Sequence, residues 1–498
     1  MLPGFTRRFP PLEILTDEEM EAIHRGALYT LQATGMRIEH DGLRRQLGDR
    51  GCLVDQEERR VRFPPGLIED CLRGCPSSFM LKARDRDKDL MVGGDTVYFM
   101  QGMGMRHVDL ETWETRPATG AEHRAAMIVA DALENVHLAE GYEIYTDRRG
   151  LPPIMAVLEN LASAIRYSSK TQVAGNIQDC EIFTIRMAQA VGTDLLPEID
   201  MGAPLTIYTG AIEAAFRYIE AGIPITPALS IAMGSEGPAT MAGSVVLAVA
   251  MTMAWAVITQ TIRPGAPMAL HHGIGPMDMR RGNAILGTPI EGITSVMMNQ
   301  MLRRYGMPIW TTAGFASNSK KIDYQAAYEK ALPSLVSLLS GGHVHLFQGG
   351  SSIELLYHPV LAVLDDDIAG WIGRFLEGVT INDETLAIDL VNQVGPIPGH
   401  YLGTAHTREW WRREQWLPQA ADLEAYPVWV RSGKKDALAL AQERVDEILE
   451  THRPTPLTPH QEQAIEDILK EARQFYRDRG TISDEEWSTY MEELASGG

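Results

Sequence analysis

The sequence predicts an α/β protein: a closed (β/α)8 barrel with an N-terminal α+β cap and C-terminal helices. Three observations predict it. Short apolar strand candidates recur at intervals of roughly 25 to 45 residues with helical patterns between them. Eight such segments can be counted, and eight strands close a parallel barrel. Finally, 498 residues with 45% hydrophobic and 22% charged side chains make a globular chain able to bury a large core.

The chain opens with "LTDEEMEAIHRGALYTLQATG", in which Thr16 and Glu19 have the spacing of a capping box ahead of a helical apolar period. Short strand-like pieces, "RRVRFP" and "TVYFM", follow, so residues 1–125 read as the α+β cap. The barrel is expected over 126–435, with strands at 136–144, 171–176, 204–209, 224–232, 267–272, 308–313, 343–348 and 359–366. The stretch "SSIELLYHP" competes with 359–366 for the eighth place. An open doubly wound sheet is the alternative, but no GxGxxG follows the first strand. Residues 237–262 carry no charge and are long enough to span a bilayer, yet their Ala, Gly, Ser and Thr content points to a buried helix. Residues 436–498 are helical and charged, placed to pack on the barrel or on another subunit in a homo-oligomer.

A net charge of −21 leaves no basic stripe for nucleic acid and suits a cationic ligand. Four cysteines with no CxxC pair give neither a disulfide framework nor a zinc set, the usage of a reducing cytoplasm. The N-terminus lacks the apolar core of a signal peptide.

Chemistry in such a barrel sits at the C-terminal ends of the strands. That rule selects Glu143, Tyr145, Asn176, Tyr208, Thr209, residues 233–236, His271, His272, 312–315, 345–348 and the acidic run 365–367. In "PMALHHGIGPMDMRRG" the two histidines are adjacent, so only one of them faces the barrel axis. His343 and His345 share a strand face, but no further ligands complete a metal set, and no metal is expected. There is no nucleophile elbow, and the one cysteine near a strand end is Cys180. "SIAMGSEGPATMAGS" is either a phosphate-binding helix start or a tight loop. Tyr142, Tyr145, Tyr208, Trp310, Phe315 and Phe347 gather near the expected mouth, where aromatic faces attract quaternary ammonium groups.

The stretches "YGMPIWTTAGFASNSKKIDYQAAYEKALPSLVSLLSGGHVHLFQGG", "VLDDDIAGWIGRFLEG" and "GHYLGTAHTREWWRREQWLPQ" resemble the trimethylamine methyltransferase family. The likeness extends back through "PITPALSIAMGSEGPATMAGSVVLAVA" and forward through "GKKDALALAQERVDEILETHRP". It implies a (β/α)8 barrel that demethylates a methylated amine and passes the methyl to cob(I)alamin on a separate corrinoid protein, with no tightly bound cofactor of its own. Founding members carry pyrrolysine, whereas every letter here is a standard residue. A quaternary amine already has a neutral leaving group, so the resemblance points to glycine betaine or a related betaine. Methyl transfer to another acceptor such as tetrahydrofolate, or binding without turnover, are the alternatives.

Within that reading His345, Gln348 and Glu236 are the catalytic candidates. Tyr142, Glu143, Tyr208, His271, His272, Trp310, Phe315 and Phe347 are expected to hold the substrate. His271, His272, His345 or Arg280 would bind a betaine carboxylate, and Glu143 or Glu236 the cation. Relatives often have a histidine near the end of the seventh strand where this chain has Gln348. Access for a corrinoid domain requires a wide mouth that the N-terminal cap does not roof.

Overall fold

The computed structural model describes residues 3–142, 150–353 and 355–496. Eight parallel strands form a closed ring: β1 (Thr96–Gln101), β2 (Leu138–Ala139), β3 (Thr171–Ala174), β4 (Leu195–Asp200), β5 (Thr226–Met233), β6 (Leu270–Asp278), β7 (Ile309–Thr311) and β8 (Val344–Gln348). Closure is made by β8, which pairs in parallel with β1 at Val344 and Tyr98. Each strand is followed by a helix on the outside, from Gly120–Ala132 after β1 to Pro359–Leu376 after β8. The barrel is therefore the (β/α)8 barrel the sequence predicts.

Two strand positions and the start of the barrel differ from the sequence reading. The first strand is "TVYFMQ", at residues 96–101, inside the region assigned to the cap, so the barrel begins before residue 126. The strand expected at 204–209 is instead β4 at Leu195–Asp200; Thr206–Ile207 joins Met36–Ile38 in the sheet of the N-terminal lobe. Residues 359–366 are helix rather than strand. A short apolar run does not separate the two states by periodicity, but Pro359 at the first helical turn, and the His358 ring accepting from the Val360 N–H, start a helix.

Strand alternation gives each β-strand an inner and an outer face. Tyr98, Met100, Leu138, Leu196, Ala269, Trp310, Val344 and Leu346 fill the barrel interior together with Phe79, Leu81, Leu90 and Val92. The last four come from a hairpin, Ser78–Leu81 with Leu90–Gly93, whose chain leads directly into β1 and plugs the N-terminal end of the barrel. The interior stays open only at the opposite end.

The N-terminal lobe lies beside the barrel rather than across its mouth. Its helices Asp17–Ala33 and Pro65–Gly74 pack against Met241–Ile262. That helix is covered by the lobe on one side and the barrel on the other, which explains an apolar sequence with no polar face. Among the described residues it is the one helix long and apolar enough to cross a membrane, and most of it is buried in the protein. A small sheet made by the loops after β1 and β8, Arg106–Val108, Thr115–Pro117, Gly350–Ser351 and Leu356–Tyr357, flanks the mouth.

One buried ion pair ties the loops after β7 and β8 to the helix layer. The Lys330 ammonium donates to the carbonyl oxygens of Phe315, Phe347 and Gly350, each at 2.8 Å, and lies 3.1 Å from Asp365 Oδ2. Asp365 also accepts from the Gly349 N–H at 2.8 Å. The acidic run 365–367 is thus structural, with Asp366 accepting from Asn135 and Asp367 from the backbone of Gln419 and Ala420. Removing one member of such a pair leaves the other charged and unpaired in a dry interior. Lys330→Met is expected to lower stability by about 3–5 kcal/mol in urea denaturation. Adding Asp365→Asn to it should recover part of that loss.

Candidate active site

A cavity of about 570 Å³ occupies the C-terminal mouth of the barrel. Its walls are built by alternation along neighbouring strands. On β4 the inner face runs Leu196, Glu198, Asp200, so the apolar floor gives way to two carboxylates as the strand reaches the mouth. On β6 it runs Ala269, His271, Gly273, and on β5 Ser230 faces the same space. Phe315, Met103 and Ile231 supply apolar wall.

His271 is the inward histidine. Its ring stacks on Trp310 of the adjacent strand, centroids 4.3 Å apart and planes within 10°. Its Nδ1 lies 2.8 Å from Glu198 Oε1. The approach lacks the alignment of a hydrogen bond, so the contact is electrostatic rather than directed. Trp310 forms the floor beneath it, almost fully buried.

Four carboxyl side chains line the cavity, those of Glu198, Asp200, Glu236 and Glu291, and no Lys or Arg does so among the described residues. Glu291 sits in the first turn of helix Pro289–Arg304, which Thr288 caps. Its carboxylate accepts from the Gly287 N–H at 2.7 Å and the Gly314 N–H at 3.2 Å. Burial outweighs those bonds and, with Glu329 nearby, pushes its pKa up to about 7. Partial desolvation, and then the neighbouring Glu198, also raise Asp200. The Glu236 carboxylate stands at the rim and accepts from the Ala232 N–H at 2.8 Å, closing the glycine-rich loop on itself.

The residues singled out from the sequence divide between the cavity and the layers around it. Glu236, His271 and Phe315 line it, with Trp310 as floor. His345 does not: it lies on the outer face of β8, where Nδ1 meets the Thr311 carbonyl and the ring packs on Phe99 and Phe347. Burial pushes its pKa down to about 3. Gln348 lies beyond a register shift in β8 and donates to the Asn135 carbonyl at 3.1 Å, again outside the cavity. Phe347 faces the helices beneath the Lys330 ammonium, 5.0 Å from its ring centre. His272 points outward to Asn299 Oδ1 at 2.8 Å, and burial lowers it to about 4. His343, two residues before His345 and just ahead of β8, meets the Gly94 carbonyl at the far end of the barrel.

The tyrosines are also placed elsewhere. Tyr142 is buried under the small flanking sheet and donates to the Tyr357 carbonyl at 3.0 Å. Tyr208 begins helix Thr209–Glu220 and is exposed outside the cavity. Glu143 and Tyr145 lie outside the described residues. Arg280 is exposed in the turn of the hairpin that extends β6. The Cys180 thiol is buried and pushed up to about 12, which removes it as a nucleophile. No group of three His, Cys, Asp or Glu side chains able to hold a metal ion occurs among the described residues.

Glu198, Asp200 and Glu291 were missed by sequence reasoning. The signal for the first two was "LLPEID", where Leu196, Glu198 and Asp200 alternate, but Pro197 weakens a strand reading and "PLTIYT" drew the assignment nine residues downstream. Glu291 is marked in sequence only as the third residue after a Thr288 cap.

A family model described as trimethylamine methyltransferase (MTTB) matches residues 1–475. The chain is 28% identical over 464 residues to glycine betaine methyltransferase of Desulfitobacterium hafniense (strain Y51), across 90% of this chain and 95% of that one. It is 27% identical over 473 residues to a trimethylamine methyltransferase of Desulfitobacterium hafniense (strain DSM 10664 / DCB-2), across 93% and 94% of the two chains. Among solved structures, the Methanosarcina barkeri monomethylamine methyltransferase aligns with 94% of this chain and 96% of its own at a TM-score of 0.47 and 12% identity. With the family match running through the lobe, the barrel and most of the C-terminal helices, the chain belongs to the trimethylamine methyltransferase family.

Proposed function

We propose that this protein transfers a methyl group from a quaternary amine, glycine betaine or a related compound, to the cobalt of a corrinoid carried by a separate protein. The observation that carries the reading is the acid-lined cavity at the barrel mouth. A permanent cation gains from carboxylates held in a space of restricted water, and an aromatic face adds to that attraction. Family membership supplies the reaction class.

Glu198 and Asp200 fix the position of the ammonium nitrogen, and Phe315 offers a ring to its methyl groups. His271 is held against Trp310 and keeps Glu198 turned into the cavity. For a betaine, Asn176 and Ser230 offer neutral donors to the carboxylate. The carbon–nitrogen bond breaks with its electron pair left on nitrogen, giving a neutral tertiary amine, so no proton is needed before the methyl leaves. The corrinoid, as methyl acceptor, supplies the nucleophile. Exposed Ile177 and Met279 at the mouth give an apolar rim that fits a docked macrocycle. What the protein contributes is orientation and a fixed electrostatic environment.

Chemically reduced cob(I)alamin, followed by absorbance, tests the reaction across trimethylamine, glycine betaine, proline betaine, carnitine and choline. Methylcobalamin from a quaternary amine is expected. Product only with tetrahydrofolate as acceptor, or binding with no product, would replace this reading with one of its alternatives.

Glu198→Gln and Asp200→Asn should each weaken binding of the ammonium head by about three- to tenfold, ~0.7–1.4 kcal/mol, as titration calorimetry with tetramethylammonium would show. The pH dependence has a definite sign. Glu291 is neutral below about 7 and charged above it, so the cavity gains negative charge as pH rises. Cation affinity should increase through that range, and Glu291→Gln should flatten the increase.

A further inference from the structure

The cavity is more one-sidedly acidic than a quaternary ammonium head alone requires. Glu198, Asp200, Glu236 and Glu291 line it, and no Lys or Arg does so among the described residues. A betaine brings a carboxylate as well as a cation, and out of water that carboxylate needs a cationic or donating partner. Of the four side chains expected to bind it, three lie elsewhere. His272 turns outward to Asn299, His345 meets the Thr311 carbonyl, and Arg280 is exposed in the hairpin turn. The fourth, His271, has its Nδ1 2.8 Å from Glu198 Oε1. A proton on that ring offsets Glu198 and leaves Asp200, Glu236 and Glu291 uncompensated.

Two cations of the neighbouring elements are already committed. Arg281 donates to Asp278 at 2.6 Å in the hairpin that extends β6. The Lys330 ammonium is buried against three carbonyl oxygens and Asp365. Neither can serve a carboxylate in the cavity without leaving an acid unpaired behind it.

The neutral polar side chains on the walls are few. Thr312 donates its hydroxyl to the His272 carbonyl, which leaves Asn176 and Ser230 for a ligand. A carboxylate only accepts, in a space whose dominant groups are themselves acceptors. A hydroxyl does both: it can donate to a cavity carboxylate and accept from the Asn176 amide. Volume does not separate the two, because about 570 Å³ holds either end group, so charge decides.

Resting on the reading that the cavity takes a quaternary ammonium head, we propose that the site is tuned to a quaternary ammonium alcohol of net positive charge, a choline-type compound, and holds zwitterionic betaines more weakly. Demethylation of such a substrate breaks one carbon–nitrogen bond with its electron pair left on nitrogen, and a neutral dimethylamino alcohol departs. The corrinoid acceptor supplies the electron pair for the new bond to the methyl carbon. No proton, oxidant or further reductant enters the step.

Titration calorimetry on the full-length protein with four ligands tests this. Tetramethylammonium reports the head alone. Glycine betaine and its amide, carbamoylmethyl-trimethylammonium, have nearly the same shape and differ by one negative charge, while choline carries the hydroxyl. Choline and the amide are each expected to bind at least tenfold more tightly than glycine betaine. Choline should also have the higher kcat/KM as methyl donor to chemically reduced cob(I)alamin. Ser230→Lys puts an ammonium on the cavity wall. With an unchanged far-UV spectrum, that variant should tighten betaine, weaken choline and narrow the gap.

If tetramethylammonium binds but the gap for choline or the amide is below tenfold, the inference is overturned and the ammonium reading stands. The reverse order in kcat/KM, or an undiminished gap in folded Ser230→Lys, would overturn it as well. Absence of binding by tetramethylammonium, choline and glycine betaine alike would instead remove the ammonium reading, and the inference with it.

Discussion

Strand parity in a closed barrel is the constraint on which the rest of this structure depends. Successive residues of each strand face the axis and the helix layer in turn, and closure leaves no edge at which that order can slip. The rule sends Glu198, Asp200 and His271 inward and His272, His345 and Phe347 outward. A one-residue shift in β4 would replace the two carboxylates with Pro197 and Ile199 and abolish the cation-binding character of the site. The acid-lined cavity is thus a consequence of register, held by backbone pairing from β3 through β6.

The barrel is also closed asymmetrically. A hairpin fills the N-terminal end, while the loops that follow the strands leave the other end open. The lobe that contributes the hairpin spends its other helices covering Met241–Ile262, so it seals the floor and a flank without roofing the mouth. Lys330, bonded to three loop carbonyls and Asp365, holds the wall on the β7 and β8 side in place. Binding, flank and floor are therefore assigned to different parts of the chain.

Much of the barrel was legible in the sequence because its strands are buried on both faces and read as apolar runs. The runs at 171–176, 224–232, 267–272, 308–313 and 343–348 each contain or overlap a barrel strand. The failures have physical causes. "PVLAVLDD" is as apolar as a strand but is started as a helix by Pro359 and His358, and "TVYFMQ" was hidden among the short strands of the lobe. For the site, sequence reasoning found the right strand ends but not the facing. His271 and His272 could not be told apart without the register that pairs His271 with Trp310. Gln348 was displaced by an irregularity between Leu346 and itself that no local pattern announces. The two carboxylates of β4 were lost with the strand that carries them.

The central claim is that a methylated ammonium group sits between Glu198 and Asp200 at the barrel mouth, and a crystal structure of the protein with bound glycine betaine tests it most directly. The account predicts the ligand nitrogen inside the cavity, facing those two carboxylates, with Phe315 against its methyl groups. Betaine bound outside the cavity, or bound with its carboxylate rather than its nitrogen toward Glu198 and Asp200, would contradict it.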